Sequence, residues 1–146
     1  MNCELCETAG GTLLWQDNFL RVVHVDEPGY VGYCRVIWQA HVAEMTDLDP
    51  AQRAHCMQVV FTVESLLRER LKPDKINLAA LGNFTPHVHW HVIARFRDDA
   101  HFPQSIWGAR QREPQSQSQS QSFSPRADVT QLQRHLKQSL ATLLRV

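Results

Sequence analysis

Apolar residues follow two different periods along the chain, and the first of them is typical of strands. Short apolar or alternating runs predict strands over Thr12 to Gln16, Phe19 to Val25 and Tyr33 to Trp38. A turn at Asp17-Asn18 joins the first two, and Asp26-Glu27-Pro28-Gly29 breaks the pattern before the third. The chain is therefore predicted to begin with three short strands.

The second period is helical and begins at Asp49-Pro50. Asp accepts hydrogen bonds from the free amides of a first helical turn, and Pro is tolerated there because it needs no intrahelical acceptor. One apolar stripe continues until Lys72-Pro73-Asp74 ends it, and it consists of Cys56, Val59, Val60, Val63, Leu67 and Leu71. We therefore expect a long helix that packs on a sheet.

Two further strands are predicted after this helix. Ile76 to Leu81 has the composition of a buried strand, and Gly82 to Pro86 has the residues of a tight connection. The next strand is expected from His87 to about Phe96. Strands and helices in this order indicate an α+β domain over residues 1–110.

The last third of the chain changes character. Residues 111–126 are rich in Gln and Ser and contain little to bury, so we expect a flexible linker. Residues 127–146 form a third unit, because apolar residues recur at helical spacing between Asp128 and Leu144. This amphipathic helix needs a surface to lie on, either its own domain or a partner subunit. A membrane surface is disfavoured because the cationic face is sparse.

Length, charge and hydropathy limit the classes of function that the chain can have. The 146 residues are 43% hydrophobic, which suits one domain with its own core. A formal net charge of zero argues against nucleic-acid binding through a broad basic surface. The N-terminus lacks the features of a signal peptide, and no apolar run approaches a membrane span. We expect a soluble, cytoplasmic protein without a membrane partner.

Three histidines at a strict period of two are the most informative motif. His87, His89 and His91 alternate with apolar residues, so a strand would place the three rings on one face, about 7 Å apart at each step. Two chemistries suit such a row. Neutral imidazoles ligate metals, and one imidazole acts as a nucleophile at phosphorus while others position the substrate. Three rings on successive strand positions rarely reach one tetrahedral ion, which disfavours a zinc on this face.

The four cysteines are not spaced like a secreted disulfide scaffold. Cys3 and Cys6 form a Cys-x-x-Cys pair, which indicates either a metal knuckle or plain reduced thiols. Cys34 and Cys56 lie inside apolar patterns and are interpreted as small core residues.

These motifs together resemble a known family. The segment His87-Val88-His89-Trp90-His91-Val92-Ile93 matches the His-φ-His-φ-His-φ-φ signature of the histidine triad (HIT) superfamily, where φ is an apolar residue. Gly32 to Trp38 with His41 is similar to the strand upstream of that signature, and Leu5 to Trp15 resembles the N-terminal hairpin. The resemblance spans residues 3 to 107 and is to bacterial HIT nucleotide hydrolases of the diadenosine polyphosphate hydrolase type.

The resemblance implies a fold and an activity. The fold is HIT-like, an antiparallel sheet of about five strands with one long helix packed on it, here followed by the linker and C-terminal helix. The activity is hydrolysis or nucleotidyl transfer at the α-phosphate of a dinucleoside polyphosphate or nucleoside phosphoramidate. A purine nucleotide substrate and a homodimer are further expectations. The alternative is a non-catalytic nucleotide-binding module, stabilised by zinc, that has kept the fold.

The resemblance also assigns roles to the three histidines. His89 would be the nucleophile, with its Nδ1–H donated to a backbone carbonyl so that Nε2 is free to attack. His91 would donate a hydrogen bond to a non-bridging phosphate oxygen. His87 would either assist proton transfer at the leaving group or bind a metal.

Four residues are candidates for substrate contact. Asn83 resembles the family's polar contact to the phosphate or leaving group, and Thr85 follows it in the same connection; a turn residue is the alternative for Asn83. Asp26 is similar in placement to an acid that binds ribose hydroxyls, although it also suits an ordinary turn. Tyr33 replaces a histidine that supports the nucleophile in many members, and a phenol keeps a hydrogen bond without carrying a proton at neutral pH.

A structural zinc is the one cofactor that the resemblance suggests. Some bacterial members hold zinc with residues that correspond here to Cys3, Cys6, His41 and His87. Two Cys and two His form a closed tetrahedral site, which is structural and not catalytic. The alternative is two N-terminal thiols and a loop histidine without metal.

Overall fold

A five-stranded antiparallel sheet forms the centre of the molecule. The computed structural model describes residues 2–113 and 128–145. The strands lie in the order β1-β2-β3-β5-β4, and they are β1 (Thr12–Gln16), β2 (Leu20–His24), β3 (Tyr33–Trp38), β4 (Lys75–Ala79) and β5 (His89–Arg95). The helices are α1 (Glu4–Glu7), α2 (Pro50–Leu71) and α3 (Val129–Leu143), with a 3-10 turn at Met45–Asp47. The predicted α+β architecture, an antiparallel sheet of about five strands with one long helix packed on it and a C-terminal helix, is confirmed.

Three predicted strands are longer than the observed ones. The strand expected over Phe19 to Val25 loses one residue at each end. The strand expected to reach Leu81 ends at Ala79, because the chain turns away toward Gly82, whose φ of +69° lies in the left-handed region. The strand expected from His87 begins at His89. The peptide of Val88 is held instead between a loop and the end of β3, since its N–H donates to Val42 O and its carbonyl accepts from Trp38 N.

Helix α2 follows its prediction and starts with a reciprocal cap. The Asp49 carboxylate accepts from Gln52 N at 2.8 Å, and the Gln52 side chain accepts from Asp49 N at 3.0 Å. The helix ends at Leu71, and the residue that caps it, Lys72, has a left-handed φ of 51°. The whole predicted stripe is buried, together with Leu66. It packs on β3 and β5, so α2 covers one face of the sheet.

Helix α3 lies on the same domain. Leu132, Leu136 and Leu140 are fully buried in the main core, where α3 contacts α2 and β1. The domain itself is therefore the surface on which this amphipathic helix lies. The predicted flexible linker, residues 111–126, falls mostly on residues 114–127, which are outside the described part of the chain. None of the helices described is both long and apolar enough to cross a membrane.

The two faces of the sheet have different partners. Val88 and Val92 belong to the main core under α2 and α3, with Trp90 packed against it. Because strand side chains alternate, His89 and His91 lie on the opposite face. That face has a small apolar cluster of Leu5, Val23 and Ile37. The histidines of β5 therefore lie on the sheet face that no long helix covers.

Candidate functional site

His89, the first residue of β5, has a defined arrangement of its two ring nitrogens. Its Nδ1 lies 2.6 Å from the backbone carbonyl oxygen of His87. A carbonyl only accepts, so Nδ1 carries the proton and Nε2 keeps a lone pair. Burial lowers the pKa of His89, and the nearby charge of Arg35 lowers it further, although the hydrogen bond to the His87 carbonyl opposes them. The ring is neutral at pH 7 and presents an unprotonated nitrogen.

His91 lies beside His89 on the same face. The two ring centroids are 4.9 Å apart in an edge-to-face arrangement. The Nδ1 atom of His91 lies 2.8 Å from the Tyr33 hydroxyl. Burial lowers the pKa of His91 to about 3, and the neighbouring His89 and Arg35 contribute in the same direction. His91 is therefore a neutral imidazole across the physiological pH range.

Arg35 is a site residue that sequence reasoning missed. It pairs with His91 across β3 and β5, so the two side chains share a face. Its Nη1 donates to Gly10 O at 3.1 Å, and its Nη2 lies 3.5 Å from the Tyr33 hydroxyl. A signal was present, because Arg35 is the single charged residue in the strand Tyr33–Trp38.

The structure places the ring of His87 in a second cluster. Its Nε2 donates to Trp38 O at 2.6 Å, which leaves the lone pair of Nδ1 facing Cys3, Cys6 and His41. The sequence placed all three rings in one row on a strand. Because β5 begins only at His89, the row consists of His89 and His91, and His87 contributes its carbonyl to His89.

The second cluster has the dimensions of a tetrahedral zinc site. The ligand atoms of Cys3, Cys6, His41 and His87 all lie within 4.8 Å of one another. The His41 and His87 Nδ1 atoms are 3.3 Å apart, and three of the four sulfur-to-nitrogen distances, Cys3 to His87, Cys6 to His41 and Cys6 to His87, are 3.4 to 3.5 Å. Usual zinc bond lengths give about 3.3 Å between two nitrogens and about 3.5 Å between nitrogen and sulfur in a tetrahedron. The donor set and its spacing therefore fit a structural zinc ion.

Outer contacts support this cluster. A metal-bound histidine usually donates its other N–H to an oxygen, as His87 does to Trp38 O. Arg21 is 8% exposed and holds the segment after the cysteines, donating to the carbonyls of Leu5, Thr8 and Ala9. It also donates to the Gln39 side chain at 2.7 Å. The buried guanidinium of Arg21 thus joins the segment that carries the two cysteines to the segment that precedes His41. Sequence reasoning did not single out Arg21.

The four candidates for substrate contact differ in their contacts and exposure. Tyr33 contacts His91 and not His89, the nucleophile candidate that it was expected to support. Asp26 and Asn83 are exposed and make no hydrogen bond or ion pair with another described residue. Thr85 is half-buried and lines a pocket of about 340 Å³ with Cys3 and His41.

A buried ion pair fixes the segment that follows β5. Arg95 is 1% exposed and donates to both carboxylate oxygens of Asp99 at 2.8 and 2.9 Å. Burial alone would raise the pKa of Asp99, but hydrogen bonds from Arg95 and from backbone amides lower it to about 2. Arg95 also donates to Gln104 O at 2.8 Å. This segment carries Trp107 to the edge of His91, with 4.8 Å between ring centroids.

Comparison with known proteins identifies the family of the chain. The model of the HIT domain family matches residues 9–98, which is more than half of the chain. A histidine triad protein from Bradyrhizobium japonicum is 28% identical, with a TM-score of 0.69, and the match covers 93% of this chain and 96% of that one. The comparison with curated protein sequences found no significant match.

Two more distant structures share the fold. A histidine triad protein from Marinobacter aquaeolei is 21% identical with a TM-score of 0.69, and the match covers 99% of this chain and 95% of that one. A zinc-bound histidine triad family protein from Mycobacterium smegmatis is 24% identical with a TM-score of 0.64, covering 98% and 96% of the two chains.

Proposed function

The chain belongs to the HIT domain family, whose members are generally hydrolases and transferases acting on nucleotides, and we propose that it cleaves nucleotides through a covalent intermediate on His89. The substrate class is a dinucleoside polyphosphate or a nucleoside phosphoramidate with a purine base. Both present the same α-phosphate to the protein. The observation that carries the proposal is the neutral His89 ring, whose Nδ1–H is donated to the His87 carbonyl so that Nε2 has a lone pair.

The proposed reaction has two displacements at the same phosphorus. In the first, His89 Nε2 forms a bond to the α-phosphorus while the bond to the leaving group breaks. The leaving group departs with the bonding electron pair, as a nucleoside polyphosphate or as an amine that takes up a proton. In the second, water attacks phosphorus, the P–N bond breaks and its electrons return to Nε2. The water proton is released, and the products are a nucleoside monophosphate and free His89.

The neighbours of His89 supply the positive and polar groups that this chemistry needs. His91 donates to a non-bridging oxygen of the α-phosphate and stabilises charge as it develops. Arg35 adds a positive charge on the same face, and it lowers the pKa of both rings. An anionic substrate relieves the electrostatic cost of this cation. Asn83, Thr85 and Asp26 contact the rest of the nucleotide in this proposal, on the strength of the family resemblance.

A structural zinc is part of the proposal. Cys3, Cys6, His41 and His87 would hold it, and the match between their separations and a tetrahedral shell supports this assignment. The Mycobacterium smegmatis neighbour, which is described as zinc-bound, adds support. With all four positions taken by protein ligands, the ion stabilises the fold and supplies no step of the chemistry. We also propose a cytoplasmic homodimer, which rests on the resemblance alone.

Intact-mass spectrometry tests the covalent step. The protein is mixed with diadenosine tetraphosphate or an adenosine phosphoramidate and quenched rapidly without acid. We expect the mass of one AMP on the unaltered protein and on His91→Ala at a lower level, and none on His89→Ala. If no adduct and no product form in a single turnover although AMP binds, the protein is the non-catalytic nucleotide-binding module instead.

Metal analysis tests the zinc assignment separately. Protein purified without chelators is expected to contain about one zinc per chain, and Cys6→Ser is expected to contain almost none. Unaltered protein without zinc, which also fails to take up added zinc, would show that the four side chains are a reduced, metal-free cluster.

A further inference from the structure

The Tyr33 hydroxyl has contacts that determine where its proton goes. Tyr33 is 2% exposed, so its hydroxyl has little access to water. Two polar atoms are its hydrogen-bond partners in the described part of the chain, Arg35 Nη2 at 3.5 Å and His91 Nδ1 at 2.8 Å. The guanidinium of Arg35 has donors only. The phenolic proton can therefore be satisfied only by His91 Nδ1, and a buried donor left without an acceptor is costly.

This assignment fixes the tautomer of His91. If Nδ1 accepts from Tyr33, a neutral imidazole must carry its proton on Nε2. The pKa of His91, which burial lowers to about 3, keeps the ring neutral at physiological pH. His89 has the opposite tautomer, because its Nδ1–H is donated to the His87 carbonyl. Two adjacent rings thus expose different atoms, a lone pair on His89 and an N–H on His91.

Arg35 orients the phenol. Its Nη1 is held by Gly10 O at 3.1 Å, and its guanidinium lies 5.6 Å from the centroid of the Tyr33 ring. Its Nε is buried without a hydrogen-bond partner in the described structure, so the guanidinium is retained there at a cost. Donation from Nη2 to the phenol oxygen turns the phenolic O–H away from Arg35 and toward His91.

We propose that Tyr33, oriented by Arg35, is a positioning residue that locks His91 in the tautomer with the proton on Nε2. His91 is then a permanent donor to an acceptor oxygen in the site. The donor geometry follows from the contacts alone, whereas its use on a phosphate oxygen rests on the proposed function. A phenol suits this task because it stays protonated at neutral pH; burial raises the pKa of Tyr33 further.

Nitrogen-15 NMR of the histidine rings tests the tautomer without any substrate. In the unaltered protein we expect His91 to have a protonated Nε2 and an unprotonated, hydrogen-bonded Nδ1. Tyr33→Phe removes the donor, and we expect the two nitrogen shifts of His91 to move toward an average of both tautomers. Tyr33→His keeps an N–H donor and is expected to restore a single tautomer. A protonated Nδ1 in the unaltered protein, or an unchanged single tautomer in Tyr33→Phe, overturns the proposal.

Tyr30→Phe is the matched control. Tyr30 is 5% exposed, and its hydroxyl also contacts a histidine nitrogen, Nδ1 of His101. Its loss is expected to leave the His91 spectrum unchanged, and a similar change in both variants would mean a general effect of removing a buried hydroxyl.

Turnover of diadenosine tetraphosphate extends the test to catalysis. Loss of a transition-state donor lowers kcat by roughly 10²- to 10³-fold. Because Tyr33→Phe leaves the donor in place but frees its tautomer, we expect kcat to fall roughly tenfold with little change in KM. If the unaltered protein forms no adduct, the proposed function fails while the NMR result stands. If the adduct forms but Tyr33→Phe keeps both its tautomer and its kcat, only the positioning role fails.

Discussion

The two histidine clusters adjoin at His87 and His89 but use their rings in opposite ways. In the metal-type cluster of Cys3, Cys6, His41 and His87, ligand atoms converge to within 4.8 Å, and the His87 ring is held on both sides. In the ring pair of His89 and His91, each Nδ1 is occupied by a protein partner while Nε2 is left for another molecule. The first arrangement suits a structural metal ion, and the second leaves Nε2 of both rings without a partner among the described residues, which suits the proposed chemistry.

One residue connects the two clusters. The side chain of His87 belongs to the metal-type cluster, whereas its carbonyl accepts the proton of His89 Nδ1 at 2.6 Å. The structural cluster therefore supports the orientation of the proposed nucleophile through the backbone. Separating the two clusters by mutation is the sharpest way to test this comparison.

Removing the nucleophile is expected to give the largest effect. His89→Ala should lower kcat by at least about 10⁴-fold, since His91, the other ring of the pair, has its proton on Nε2 in the proposed tautomer and offers no lone pair there. Its zinc content should stay equal to that of the unaltered protein, because His89 is not in the metal-type cluster. Steady-state kinetics and metal analysis of the same preparation measure both. Loss of zinc in His89→Ala would contradict the separation of the clusters.

Removing a ligand from the metal-type cluster should have the converse effect, a loss of stabilisation by zinc while the AMP adduct still forms. A ligand that binds only the folded state, at about 1,000 times its Kd, stabilises it by about 4 kcal/mol. Relative to protein stripped of zinc by a chelator, we expect zinc to raise the free energy of unfolding of the unaltered protein by about that amount, and to leave that of Cys6→Ser unchanged. Urea unfolding with zinc or with a chelator measures this. Cys6→Ser should still form the AMP adduct below its unfolding transition, and a complete loss of adduct there would contradict the separation of the two clusters.

Acid titration tests how the buried ring of His91 changes the free energy of unfolding with pH. The folded-state pKa of His91 is about 3, below the unfolded value of about 6.5. Between these values the unfolded chain binds more protons, so the free energy of unfolding falls as pH falls from about 6.5 toward about 3. His91→Gln lacks this contribution, and its slope should be shallower by at most about 1.4 kcal/mol per pH unit. Urea unfolding in steps from about pH 7 to about pH 4 compares the two. Parallel curves would mean that His91 is protonated in the folded state as easily as in the unfolded chain.

The fold could be predicted from the sequence because its signals are local and redundant. The period of the apolar residues located all five strands and both long helices, and Asp49-Pro50 marked the start of α2 to the residue. Errors occur where tertiary contacts decide. The strand expected from His87 starts at His89, since Val42 in a loop and Trp38 at the end of β3 bind the peptide of Val88.

The site was harder to predict because it depends on contacts between distant segments. The pattern gave His89 and His91 a common face, and the family resemblance brought Cys3, Cys6, His41 and His87 together as a candidate cluster. Arg21 and Arg35 were missed, because a charged residue in an apolar strand is conspicuous but does not tell whether the arginine is solvated or turned onto the site. The alternation of His and apolar residues likewise could not show that the His87 ring leaves the row.

Replacing Trp107, whose ring lies at the edge of His91, is expected to have the smallest effect on the kinetics. Its ring lies edge-to-face on His91 at 4.8 Å and is 49% exposed. Such a contact contributes about 0.5–1.5 kcal/mol, so Trp107→Ala should change kcat/KM for diadenosine tetraphosphate by roughly twofold to tenfold. Phe61, on the surface of α2, is 53% exposed and provides the matched control, since Phe61→Ala removes a similarly exposed ring away from both clusters. Equal kinetics in the two variants would mean that Trp107 only covers His91, and that Tyr33 and Arg35 alone position the ring pair of His89 and His91.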